Sequence, residues 1–174
     1  MIRKRRLWLT AKYLTYTLTM ILLYAIQTAP GLFSVKGIRP MWVIPFAVGI
    51  AMCEEALSAS LFGMLAGLLC DLGTQSLFGF NGLLMLAGCC AISLLATHLV
   101  KANWKSALLL GGAVAGIRAL LEFFFFYFIW GFEKIHLVFI QSVIPIFIYT
   151  TLLTPLALWA VRPFQVFCHS KWEE

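Results

Sequence analysis

Residues 61–82 read LFGMLAGLLCDLGTQSLFGFNG: an apolar segment, a polar stretch that holds the single acid Asp71, then glycines opening a second apolar segment. At helical spacing Ala56, Ala59, Ser60, Gly63, Ala66 and Gly67 fall on one face, and Cys70 and Asp71 prolong it by a turn. Small residues in such a stripe let two helix backbones approach closely where lipid supplies no hydrophobic drive for association. The carboxylate at its end is the feature that needs a partner.

The chain around this stretch has 174 residues, is 62% hydrophobic and only 11% charged, with a mean hydropathy of +0.94. An ordinary soluble domain is roughly 45–50% apolar and about 25% charged. Apolar runs of this extent would have to lie exposed on a soluble domain so small, so the composition predicts an all-helical integral membrane protein. The five Cys are scattered without a CxxC spacing and read as small buried hydrophobes, with no metal or redox role expected. The net charge of +6 gathers in part at Arg3, Lys4, Arg5 and Arg6, directly before an apolar run; membrane topology accounts for it without nucleic acid. No small-x-small cleavage site follows before Pro30, so the first helix is expected to be retained.

Against the ~20 residues a membrane helix needs, the expected spans are Leu9–Ile26, Met41–Met52, Ala56–Asp71, Leu83–Val100, Ser106–Trp130 and Val138–Val161. They make one polytopic domain: a basic start over 1–8, a compact bundle of about six helices over 9–161, and a short tail over 162–174. The second and third spans are short and are separated by Glu54 and Glu55. They are two short helices or one broken element that turns within the membrane; the sequence leaves both open. Retention of Lys and Arg on the cytoplasmic side groups Arg3–Arg6, Lys101, Lys105, Arg162 and Lys171 inside and Lys36, Arg39 and Lys134 outside, with both termini cytoplasmic.

Within the spans, Thr10, Tyr13, Thr17 and Tyr24 place hydroxyls on one face of the first, either turned into the bundle or bonded to their own backbone. The fourth offers Gly82, Cys89, Ser93, Ala96 and Thr97, with His98 at its end. That histidine is either interfacial or a proton relay. In the fifth, Arg118 and Glu122 stand one turn apart, expected near mid-membrane on a face with Gly111, Ala115 and Ala119. They read as a buried structural ion pair or as a ligand or partner contact. The aromatic run Phe123–Phe128 must face lipid or a partner. Pro145 and Pro155 are expected to bend the sixth span.

No catalytic constellation emerges. His98, His136 and His169 fall in different loops or ends, no GxSxG, HExxH or phosphate-binding glycine loop occurs, and Glu54 and Glu55 read as an acidic turn on the inner side. No cofactor is expected. Ser60, Gly63, Gly67, Asp71, Gly79, Gly112 and Gly116 are the residues expected to pack helices together or to meet a partner. Asp71 is expected to cap the turn that follows it, through Gly73 and Thr74, or to bind a ligand.

Phe62, Gly63, Gly67, Leu68, Asp71 and Gly79, in the pattern FGxxxGLxxDxxxxxxxG, resemble the rod shape-determining protein MreD family. The basic start, the loop with Pro40 before the second span and the proline-bearing FIYTTLLTPLALW agree with it. The resemblance implies a non-enzymatic scaffold in the bacterial cytoplasmic membrane. Its implied partners are MreC, RodA with its transpeptidase and, indirectly, MreB in lateral wall synthesis. It also implies a fold similar to the S components of energy-coupling-factor vitamin transporters. Glu54, Glu55, Arg118 and Glu122 have no place in the pattern. The alternative is an actual S component, partnered by ABC-type ATPases and a coupling subunit, which needs a pocket of converging polar groups.

Overall fold

The computed structural model describes residues 2–29, 41–73, 77–98, 103–125 and 143–173, with side chains over 8–166. Among them lie six helices and no strand: α1 (Ile2–Thr28), α2 (Val43–Ala51), α3 (Ala56–Leu72), α4 (Phe80–His98), α5 (Trp104–Phe123) and α6 (Ile144–Glu173). Several sequence expectations fall outside these residues: the loop with Lys36, Arg39 and Pro40, the turn partner Thr74, Lys101, the aromatic run beyond Phe125, Lys134, His136 and the start of the sixth span.

The shortest helix occupies the centre. VIPFAVGIA is apolar on every side, so it has no face to offer water, and each of its nine residues is buried. It packs against α1, α3, α4, α5 and α6, and these enclose it in the order α1, α3, α4, α5, α6, with α6 returning to α1. Tyr16 and Met20 of α1, Met85 and Ile92 of α4 and Val161 of α6 fill the space around α2. At about 1.5 Å per residue α2 is about 14 Å long, less than half of a ~30 Å hydrocarbon core.

Among the described residues, four helices are long and apolar enough to cross a membrane: Trp8–Thr28 within α1, all of α4, all of α5, and Ile144–Val166 within α6. Their outward faces carry Leu14, Leu18 and Leu22 on α1, Leu83 and Leu94 on α4, Leu109 and Ile117 on α5, and Leu152 and Leu156 on α6, all exposed. An apolar belt of this kind suits lipid and not water.

Between α2 and α3 the chain turns within Met52–Glu55, where the N–H groups of Cys53 and Glu54 both donate to the Ile50 carbonyl at 2.9 Å. Two short helices joined by a tight turn are therefore what the sequence left open. The sixth helix differs in extent from its expected span. It runs unbroken through Pro155 and Pro163 to Glu173, so residues 162–173 continue a helix. Pro145 is its second residue, a position where a missing donor costs little.

Side-chain bonds fix the relative direction of the helices. The start of α1, the α2–α3 turn, the end of α4 and the later part of α6 meet at one end of the bundle through Lys12, Glu54, Ser93 and Gln165. The junctions α1–α2 and α3–α4 lie at the other, where Trp42 N donates to Gln27 Oε1 at 2.9 Å and Asp71 meets the start of α4.

Candidate functional site

Among the described residues, buried polar side chains gather mainly in two clusters, one at each end of α3. The first is built on Asp71. Its Oδ2 accepts the N–H of Gly79 at 2.8 Å and of Gly82 at 3.3 Å; its Oδ1 accepts Asn81 Nδ2 at 2.7 Å and Asn81 N at 3.4 Å. These are the open N–H groups at the start of α4, where the helix dipole favours a negative charge. Asp71 thus caps the start of α4; of the two turn partners expected for it, Gly73 gives its N–H to the Cys70 carbonyl at 3.1 Å, and Thr74 lies outside the described residues. Gly79 adopts φ +95°, in the left-handed region, which lets the chain swing its N–H onto the carboxylate.

The close approach of α3 to α4 makes this possible. A Cβ on Gly67 would run into the backbone of Asn81 and lie 2.6 Å from Gly82 Cα; one on Gly63 would lie 2.5 Å from the Met85 carbonyl oxygen. Leu68 covers Gly82. Phe62 sits at the other end of the same pattern, its ring 5.8 Å from Tyr13 and 5.6 Å from Tyr16. Gly63 and Gly67 are consequently spent on α4 of the same chain. Gly112 and Gly116 face α6, at Thr151 and Phe147, while Ser60 bonds the Leu57 carbonyl of its own helix at 2.9 Å.

Arg118 and Glu122 stand toward the same end, since Phe125, just past α5, packs its ring 5.5 Å from that of Phe80 at the start of α4. Arg118 Nη2 is 2.9 Å from Glu122 Oε2, with the arginine side chain 5% and the glutamate 23% exposed. The pair does not satisfy itself. Nη2 of Arg118 meets Glu122 as an ion pair, Nε of Arg118 makes no hydrogen bond, and Oδ1 of Asn81 accepts none. A guanidinium carries five donors in a rigid fork, and a single carboxylate one turn away on the same helix meets it from one side only.

The second cluster surrounds Glu54. Lys12 Nζ lies 2.5 Å from Glu54 Oε1, and both side chains are buried. Tyr16 OH donates to the same oxygen at 3.2 Å, Ser93 Oγ donates to the Glu54 carbonyl at 2.6 Å, and Gln165 Nε2 donates to the Cys53 carbonyl. Tyr13 OH and Ser58 Oγ are 3.0 Å apart alongside. Only Glu55 faces outward. The reading of Glu54 and Glu55 as a plain acidic turn is therefore corrected: Glu54 ties α1 and α4 to the α2–α3 turn, and the Cys53 carbonyl next to it ties α6.

Sequence reasoning passed over Lys12. A lone lysine inside an apolar helix needs a buried anion, and that need is its one sequence signal; which acid answers it, Glu54, is set by the fold. Of the hydroxyl face on α1, Tyr13 turns to α3, whereas Thr17 Oγ1 bonds the Tyr13 carbonyl at 2.9 Å. His98 is exposed at the end of α4. No His, Cys, Asp or Glu grouping among the described residues could hold a metal ion.

Compared with family models, with curated proteins and with solved structures, the chain matches none.

Proposed function

We propose that this chain is a non-enzymatic membrane scaffold of the bacterial cell-elongation complex, similar to the MreD family, with both termini cytoplasmic, and that it binds MreC and the RodA wall synthase with its transpeptidase. One observation carries the reading. Every residue of the pattern that suggested the family lies at the α3–α4 junction or beside it: Gly63 and Gly67 against α4, Leu68 over Gly82, Asp71 on the Gly79 N–H, and Phe62 against the tyrosines of α1. Such a pattern specifies an assembled helix pair and places no reactive group at a surface. The polar side chains hold the bundle together, and the outward apolar faces of α1, α4, α5 and α6 are left to lipid and membrane partners. Affinity purification from bacterial membranes followed by mass spectrometry tests this. Recovery of MreC and wall-synthesis enzymes supports it, and their absence from a folded, membrane-extracted sample refutes it.

A second reading, the S component of an energy-coupling-factor transporter, is favoured by the unbonded Nε of buried Arg118 and the unbonded Oδ1 of buried Asn81. Converging polar groups are what a ligand site needs. Recovery of ABC-type ATPases with a coupling subunit in the same purification would decide for it.

A further inference from the structure

We propose that a groove between the start of α5 and the later half of α6 binds a phospholipid with an anionic headgroup. The groove holds about 820 Å³; Trp104, Pro155, Trp159 and Val166 wall it, and Asn103 and Arg162 supply its polar groups. Apolar walls of this kind call for an apolar occupant, and the charge is of one sign. Arg162 is exposed and forms no ion pair with a described residue. The buried acid at this end, Glu54, is already committed to Lys12. Lys105 places a second cation at the rim, its Nζ 5.6 Å over the Trp104 ring.

A molecule with acyl chains and a phosphate complements both halves of this surface. An arginine fork fits phosphate oxygens in pairs, and basic grooves between membrane helices select anionic headgroups. The indole rings fix the depth. Trp104 and Trp159 are 64% and 79% exposed, and Trp prefers the level of the headgroups. Asn103 makes no side-chain cap to α5, and the positive end of that helix dipole beside the arginine is additional support for a negative charge. The inference rests on the chain being a membrane protein, and not on its being a wall-synthesis scaffold.

The test uses the full chain, purified in neutral detergent and placed in nanodiscs of phosphatidylcholine doped with phosphatidylglycerol, with retained lipid counted by native mass spectrometry. The expected result is selective retention of phosphatidylglycerol. Arg162→Gln should lower that selectivity about five-fold, Arg162→Lys should restore most of it, and Val166→Trp should reduce retention of both lipids by filling the groove. Unchanged selectivity in Arg162→Gln overturns the proposal. So does a photo-crosslinking residue at position 166 that captures a polypeptide in cells in place of a lipid. Release of the parent protein from membranes by alkaline carbonate would instead overturn the membrane reading itself. An Arg162→Gln chain that fails to fold leaves Lys105→Gln, at the rim, as the charge variant; its selectivity must fall as well, and unchanged selectivity there counts against the site.

Discussion

The Arg118–Glu122 pair is unequal, and the inequality sets what mutation does to it. Arg118 is nearly enclosed while Glu122 keeps some contact with its surroundings. Removing the glutamate strands a buried cation; removing the arginine leaves an acid that can turn outward. Glu122→Ala should therefore cost about 3 kcal/mol and Arg118→Ala clearly less, with the double variant recovering part of the Glu122→Ala loss. Thermal unfolding in detergent reads the order directly, and a double variant as damaged as Glu122→Ala would mean that the arginine contacts something besides Glu122. Asp71 is the second residue whose loss is specific. Asp71→Ala opens three backbone N–H groups and the Asn81 amide at once, an expected loss of about 2–3 kcal/mol, whereas Asp71→Asn retains one acceptor oxygen and should lose less. Equal melting temperatures for the two variants would show that the capping bonds contribute nothing. The sequence showed Asp71 as a carboxylate that needed a partner. It could not show that the partner was α4, because Asp71 and Gly79 belong to different elements and no helical periodicity relates them.

Among elements, α3 and α4 form the tightest pair, and the two sides of their contact respond differently to added bulk. Gly67→Ala presses a methyl group against the α4 backbone, which cannot move aside. Gly82→Ala presses on the Leu68 side chain, at 3.1 Å, which can rotate, and leaves the nearest backbone atom, Leu68 N, at an ordinary 3.7 Å. The first should cost about 2–3 kcal/mol and Gly67→Leu should prevent the pairing, while the second should stay within about 1 kcal/mol. Melting temperatures of the two alanine variants check this, and comparable shifts would sink the close-approach argument. This stripe was legible from its spacing alone, since period and residue size both pointed to a helix–helix seam. The Lys12–Glu54 tie was not: it joins residues on different helices, and nothing in the local pattern of either one names the other.

At the scale of the molecule, α2 is the hub and the other described helices form its wall. Ile44→Ala or Val48→Ala should open cavities on several interfaces together and cost about 2–4 kcal/mol for the isoleucine and somewhat less for the valine. Leu109→Ala on the outward face of α5 should change stability by roughly 0.5 kcal/mol or less in detergent. A surface variant as damaging as the hub variants would refute the hub. That the chain is helical and apolar enough for a membrane could be read from composition and run length. The central place of α2 could not, because an all-apolar segment of nine residues fits a buried helix, a broken span or a strand equally well by pattern.

The position of α2 also constrains biogenesis. It leaves the ribosome after α1 but before α3, α4, α5 and α6, four of the five helices that enclose it. It is too short to hold a membrane position alone. A hairpin of α2 with α3 is therefore the expected unit of synthesis, its Glu54 turn meeting Lys12 of α1 early and Gln165 only once α6 is made. A chain stopped before α6 should accordingly be a substrate for membrane quality-control proteases, and pulse-chase lifetimes of such truncations measure how late the core closes.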